Sequence, residues 1–303
     1  TRCLSDWSSD VCSSDLNILG QIPERGSRTE MPDILRELFS YDFILRAVAV
    51  GIMVSLCASL LGVSLVLKRY SMIGDGLGHV AFGALCVAVA FNMAPLLVSV
   101  PVVVTAAALL LRIRGNVRIK GDAAIAVISS SSLAVGIIVT SLTQGMNIDI
   151  YNYMFGSILA MSDRDVYLGM ALSAAVLLLF VLLYNVIFAV TFDEDFARAA
   201  GVNVSFYNTL IAIFTAVTIV VGMRIMGSLL ISSLIVFPSL TAMRLFSSFR
   251  GVVICSGIVS TICFFLGIVI SYSLDIPVGA SIVVLNFAAF TLFFAAGSLR
   301  KYF

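Results

Sequence analysis

Asp75 and His79 stand four residues apart in the stretch Ser71-Met-Ile-Gly-Asp-Gly-Leu-Gly-His79, and His79 is the sole histidine of the chain. On a helix that spacing puts both side chains on one face. The surrounding sequence is apolar and predicted to lie in a membrane, where an ionisable pair is expensive and marks a functional site by default. A carboxylate and an imidazole are ordinary ligands of a divalent transition metal. Two groups do not fill a four-coordinate zinc shell, so the remaining donors would come from a second protomer, water or another polar group of the chain. The competing reading is an internal ion pair that only glues helices together. Cys86, seven residues beyond His79, adds a thiol on the same face. A lone membrane cysteine is usually packing, and it is left out of the candidate site.

Those two residues need elements to hold them, and composition says which kind. Hydrophobic residues make up 60% of the chain and charged residues 12%, with a mean hydropathy of +1.10. A soluble domain would carry about 25% charged residues. The expectation is an all-α, polytopic bundle of transmembrane helices in the cell membrane, with about 8–9 spans at roughly 20 residues each. Nothing points to a nucleic-acid partner. The six cysteines include no CxxC pair, which argues against a disulfide framework or a zinc knuckle. The three lysines, Lys68, Lys120 and Lys301, never follow a glycine, so a nucleotide-binding P-loop is excluded; one histidine excludes HExxH.

Two domains are expected. Thr1–Glu30 is polar, holds the only tryptophan, Trp7, and reads like translated adaptor sequence, so residues 1–30 are expected to be a non-native or disordered leader. Met31 is then a plausible start, with the transmembrane domain at 31–303.

Hydropathy predicts spans at Phe43–Leu67, Met72–Asn92, Ala94–Leu111, Asp122–Leu142, Val166–Phe192, Phe206–Gly222, Ile225–Phe246, Val252–Leu274 and Val278–Ser298. A short apolar segment at Ile150–Ala160 is too brief to cross alone. With the loop after the first span in the cytoplasm, eleven Lys and Arg fall inside, from Lys68 and Arg69 to Arg300 and Lys301. Four fall outside: Arg36, Arg46, Arg164 and Arg224. That bias obeys the positive-inside rule. Asp75 and His79 then lie about 10 Å in from the cytoplasmic boundary at 1.5 Å per residue. Gly74, Gly76, Gly78 and Gly83 either let helices approach closely or loosen the second span. Ser129 to Ser132 either bond back to their own helix or line a polar path, the first being the commoner behaviour. Pro238 is expected to kink its span near Val236 and Phe237.

A second stretch, Thr191-Phe-Asp-Glu-Asp-Phe-Ala-Arg-Ala-Ala-Gly201, follows the fifth span on the cytoplasmic side. Asp193, Glu194 and Asp195 suit the positive end of a short helix, and Gly201 suits its C′ position. Phe196 and Ala199 give it an apolar side. It reads equally as a docking knob or as a well-capped loop helix with no partner.

Several ordered pieces together resemble the integral-membrane permease of metal-ion ABC importers, the zinc, manganese and iron group. They are Lys68 to His79, Asp122 to Ser132, Phe155 to Ser162, Phe192 to Gly201, and Met226 to Pro238 followed by Arg244. The resemblance covers residues 31–303. It implies a transport subunit rather than an enzyme, with no permanently bound cofactor and a divalent metal as cargo. It further implies a separate cytoplasmic ABC ATPase, an extracytoplasmic metal-binding protein, and a homodimer in the membrane. By the same resemblance Asp75 and His79 coordinate the metal. Phe192, Asp193, Glu194, Asp195, Phe196, Arg198, Ala199 and Gly201 form the segment coupled to the ATPase. Gly76 and Gly78 stand where such permeases commonly have Ser or Ala.

Residues 149–162 look closest to zinc permeases, so zinc is expected ahead of manganese or iron. Two readings of other classes remain: a proton-coupled secondary transporter using Asp75, and an intramembrane hydrolase pairing a serine with His79. The second lacks a nucleophile motif.

Overall fold

In a bilayer the backbone must satisfy its own polar groups, and an apolar run of span length does so as a helix. A computed structural model describes residues 42–116, 121–143, 163–274 and 276–299, all within one unit, Leu38–Phe303. Its helices are α1 Asp42–Leu67, α2 Ile73–Ala90, α3 Pro95–Asn116, α4 Gly121–Leu142, α5 Asp163–Leu182, α6 Tyr184–Phe192, α7 Glu194–Ala199, α8 Val204–Met226, α9 Ser228–Leu245, α10 Phe249–Leu274 and α11 Val278–Leu299. There is no strand among the described residues. The expected leader and the segment at 150–160 lie outside them.

Every expected span is helical. Seven helices are long and apolar enough to cross a membrane, and the bent pair α5–α6 makes an eighth. The apolar part of α3, Pro95–Leu110, is shorter. Side-chain registers show the helices alternating in direction. Ser260 of α10 donates to the Ser55 carbonyl of α1 and Ser256 to that of Ser59, so the two run antiparallel. Gly76 and Gly83 of α2 face Ile125 and Ser132 of α4, so these run parallel, as two spans separated by α3 must.

Two boundaries differ from the sequence reading. The stretch expected as one span, Val166–Phe192, bends by 72° at Leu183. Beyond the bend α6 buries Ile187 and Val190, and Tyr184 and Phe188 stack near Phe249 at 5.6 and 5.1 Å between centroids. No glycine or proline marks the bend, and the segment beyond it packs on Phe249, more than sixty residues away in sequence. The break expected between Gly222 and Ile225 falls instead at Gly227, whose φ of 90° suits glycine. Gly222 stays inside α8 and admits Ile231 against its backbone. Helix α9 continues through Pro238 to Leu245, where the Arg244 guanidinium lies 4.8 Å over the Phe294 ring of α11.

Small residues set the closest contacts. A Cβ on Gly62 would sit 2.1 Å from the Ile235 carbonyl oxygen, and one on Gly83 would sit 2.4 Å from the Ser132 carbonyl oxygen. Around the first contact the Ser239 hydroxyl donates to the Ile235 and Ser59 carbonyls at 2.9 and 3.3 Å. The glycines of α2 therefore serve close packing. Ser131 bonds back to the Val127 carbonyl at 2.7 Å, the commoner behaviour expected of that serine run.

Gly62→Ala is expected to destabilise the protein by about 1–3 kcal/mol, because the methyl meets backbone rather than a yielding side chain. Gly78→Ala, whose Cβ would meet only the Ser228 side chain at 3.7 Å, is expected to be close to neutral. Thermal unfolding in detergent compares the two.

Candidate functional site

Helix α2 starts after a tight turn. Helix α1 ends with Arg69 in the left-handed region, φ 60°, where its N–H donates to the Val66 carbonyl and that of Tyr70 to the Leu65 carbonyl. This double bond is the usual way of closing a helix C-terminus, with an arginine where glycine is more common. Five residues later Asp75 lies in the first turn of α2, where the helix dipole favours a carboxylate.

The Asp75 Oδ2 and His79 Nε2 atoms are 3.7 Å apart, with side chains 55% and 27% exposed in the single chain. The distance is too long for a hydrogen bond between them. Asp75 is exposed and His79 partly exposed, so both side chains can reach a partner outside their own helix. The pair lies within one helix, so it does not glue two helices together. Packing explains why this face is open: Gly74 and Gly78 of α2 lie against α9, and Gly76 and Gly83 lie against α4. Cys86, expected on the same face, is fully buried in the core and contributes nothing to the open side. No group of three or more metal-ligating side chains occurs among the described residues. Asp75 and His79 by themselves offer two donors, fewer than a four-coordinate metal needs.

The second candidate segment folds into the short helix α7. The Asp193 carboxylate caps it, accepting from the Asp195 and Phe196 N–H groups at 3.0 and 2.9 Å. Gly201, φ 85°, closes it as the C′ residue, with its N–H on the Arg198 carbonyl and that of Val202 on the Ala197 carbonyl. Ala197 packs with Val190 and Val204 in a small core joining α6, α7 and α8.

The eight residues assigned to coupling do not share one role. Phe192 and Phe196 are exposed at 67% and 68%. Asp195 and Arg198 sit together at the surface, 3.5 Å apart. Ala199 is exposed. Glu194 instead turns inward, accepting from Lys68 at 2.9 Å and from the Asn208 amide at 3.1 Å. Lys68 also donates to the Asn208 carbonyl oxygen. In sequence Lys68 is legible as a cytoplasmic charge opening the Lys68–His79 stretch but not as a partner of Glu194, and Asn208 carries no signal at all. Their contact puts the α1–α2 turn and α7 on the same side of the bundle, as the charge bias required. Burial alone would raise the Glu194 carboxyl, but the Lys68 hydrogen bond and charge, helped by Asn208, hold it below its ordinary value of 4.5.

Residues 40–297 match the ABC 3 transport family. The chain belongs to that family. It is a multi-pass membrane permease of the ABC 3 type. It is 29% identical over 275 residues to the manganese import system permease protein ScaB of Streptococcus parasanguinis, covering 90% of this chain and 96% of ScaB. It is 26% identical over 253 residues to the high-affinity zinc uptake system membrane protein ZnuB of Haemophilus influenzae, covering 83% and 97%. Among solved structures, PsaBC from Streptococcus pneumoniae in complex with Fab superposes with a TM-score of 0.79 at 28% identity, over 87% of this chain and 95% of that one.

A carboxylate whose folded value is depressed stabilises the fold above its unfolded value and loses that contribution as pH falls through the folded one. Wild type is therefore expected to melt above Glu194→Gln at neutral pH, because the variant leaves the largely buried Lys68 ammonium without its carboxylate. The difference should vanish as pH falls below 4.5, the ordinary value for this carboxyl. Thermal melts of both proteins across pH read this directly.

Proposed function

We propose that this ABC 3 permease passes a divalent transition metal inward across the membrane, driven by a separate cytoplasmic ABC ATPase, with zinc the first candidate cargo. The observation that carries the reading is the Asp75–His79 pair: 3.7 Å apart on one helix long and apolar enough to cross a membrane, with both side chains partly or largely exposed. Asp75 supplies charge compensation for a divalent ion and neutral His79 a borderline-soft nitrogen, a combination suited to zinc and to manganese. The incomplete ligand set suits an importer, which must release what it binds. The missing donors come from a second copy across the open face of α2 or from water. An extracytoplasmic metal-binding protein delivers the cargo. The names of relatives include both manganese and zinc, and residues 149–162, which favour zinc by resemblance, lie outside the described residues.

The ATPase docks where α7 presents its aromatic side. Phe192, Phe196 and Phe206 are all exposed on the side that carries the cytoplasmic charge excess. The short helix is capped at both ends and seated on its own small core, so it moves as a body.

Cells carrying the intact transport system are expected to accumulate metal, and Asp75→Ala or His79→Ala to reduce accumulation at least roughly tenfold without loss of permease from the membrane. Zinc and manganese are measured in parallel. Uptake unchanged in both variants would remove the site, and manganese uptake alone would remove zinc. Phe196→Ala is expected to weaken co-purification of the ATPase while leaving permease stability little changed, as befits a side chain that is 68% exposed in the single chain.

A further inference from the structure

Lys68, Glu194 and Asn208 come from three separate places: the end of α1, the first residue of α7 and the second turn of α8. The ion pair spans 126 residues of sequence and the lysine–asparagine bond 140. The Lys68 side chain is only 8% exposed, against 43% for Glu194. An ammonium that far out of water must keep its partners, because stripping one away leaves a buried charge uncompensated. Helix α7 therefore cannot move far without carrying Lys68 or breaking a costly contact.

The turn that follows Lys68 leaves little slack. Arg69 holds a left-handed conformation, uncommon for a side-chain-bearing residue. The turn is closed by Tyr70 N–H to the Leu65 carbonyl at 2.7 Å and by Ile73 N–H to the Tyr70 carbonyl at 3.0 Å. Helix α2 begins at Ile73, and Asp75 is seven residues from Lys68. Beside this joint is a small void of about 20 Å³ lined by Leu65, Tyr70, Ile73, Leu77, Ile211 and Thr215, where α1, α2 and α8 meet. Close packing resists displacement, and here the packing is interrupted next to the start of α2.

We propose that the Lys68–Glu194–Asn208 cluster is the joint through which movement of α7 reaches α2, and with it Asp75 and His79. Lys68 is a positioning residue: it touches neither cargo nor nucleotide. The inference rests on the transport reading above, with ATP chemistry in a partner subunit. It separates two jobs within one short segment, Phe192 at the end of α6 and Phe196 of α7 facing outward to the partner and Glu194 facing inward to the permease.

The test is reconstitution of the permease with its ATPase and metal-binding protein in proteoliposomes, measuring ATP hydrolysed and zinc or manganese accumulated in the same sample. Lys68→Met fills the site with a side chain of similar length and no charge, a replacement that folded proteins often tolerate. Its metal imported per ATP is expected to fall roughly tenfold, the size of an ordinary coupling energy, while hydrolysis continues. The swapped pair K68E/E194K is expected to recover part of that ratio. A ratio equal to wild type in Lys68→Met, or a swap no better than Lys68→Met alone, overturns the joint. Wild type that hydrolyses ATP without importing either metal overturns the transport reading instead, and the joint with it.

Discussion

In a bilayer no hydrophobic force draws one helix to another, so a bundle depends on backbones that come close enough for dispersion and hydroxyl bonds to act. Here that constraint is met at a few glycines and serines. Gly62 meets the Ile235 carbonyl, Gly83 meets that of Ser132, and serines of α1, α9 and α10 bond across their shared seam. These contacts fix the registers of α1, α2, α4, α9 and α10. The remaining helices pack around them, and α4 and α11 leave most of their surface outside the single chain.

The same packing places the chemistry. Helix α2 spends its glycines on two neighbours, α9 on one side and α4 on the other. Between those two seams lies a strip carrying Asp75, exposed, and His79, partly exposed, among the described residues. A carboxylate and an imidazole at bilayer depth are tolerable only with a partner, and no third metal-ligating side chain joins them among the described residues. The site is open because the seams around it are tight.

Function at one end of α2 is also tied to the surface that a partner would grip. Helix α7 is capped by Asp193, closed by Gly201 and seated on Val190 and Val204, and its inward carboxylate holds Lys68 beneath it. The chain thus joins the short helix α7 to the helix that bears Asp75 and His79 by one ionic contact and one tight turn. No long or glycine-rich linker lies between them.

Sequence alone determined the membrane class, the helical positions, the orientation from charge and the pairing of Asp75 with His79, because each depends on local composition or on a four-residue spacing. It also foresaw the capped helix after the fifth span, whose signals, Asp193 and Gly201, act within a few residues. Only the tertiary structure decided that Cys86 is core, that Glu194 faces inward, and that the chain bends at Leu183 and turns at Gly227. It alone brought Lys68 and Asn208 to Glu194. Those outcomes turn on which helix lies next to which across a hundred residues or more. A glycine in sequence permits close approach; the backbone it receives is settled by the fold.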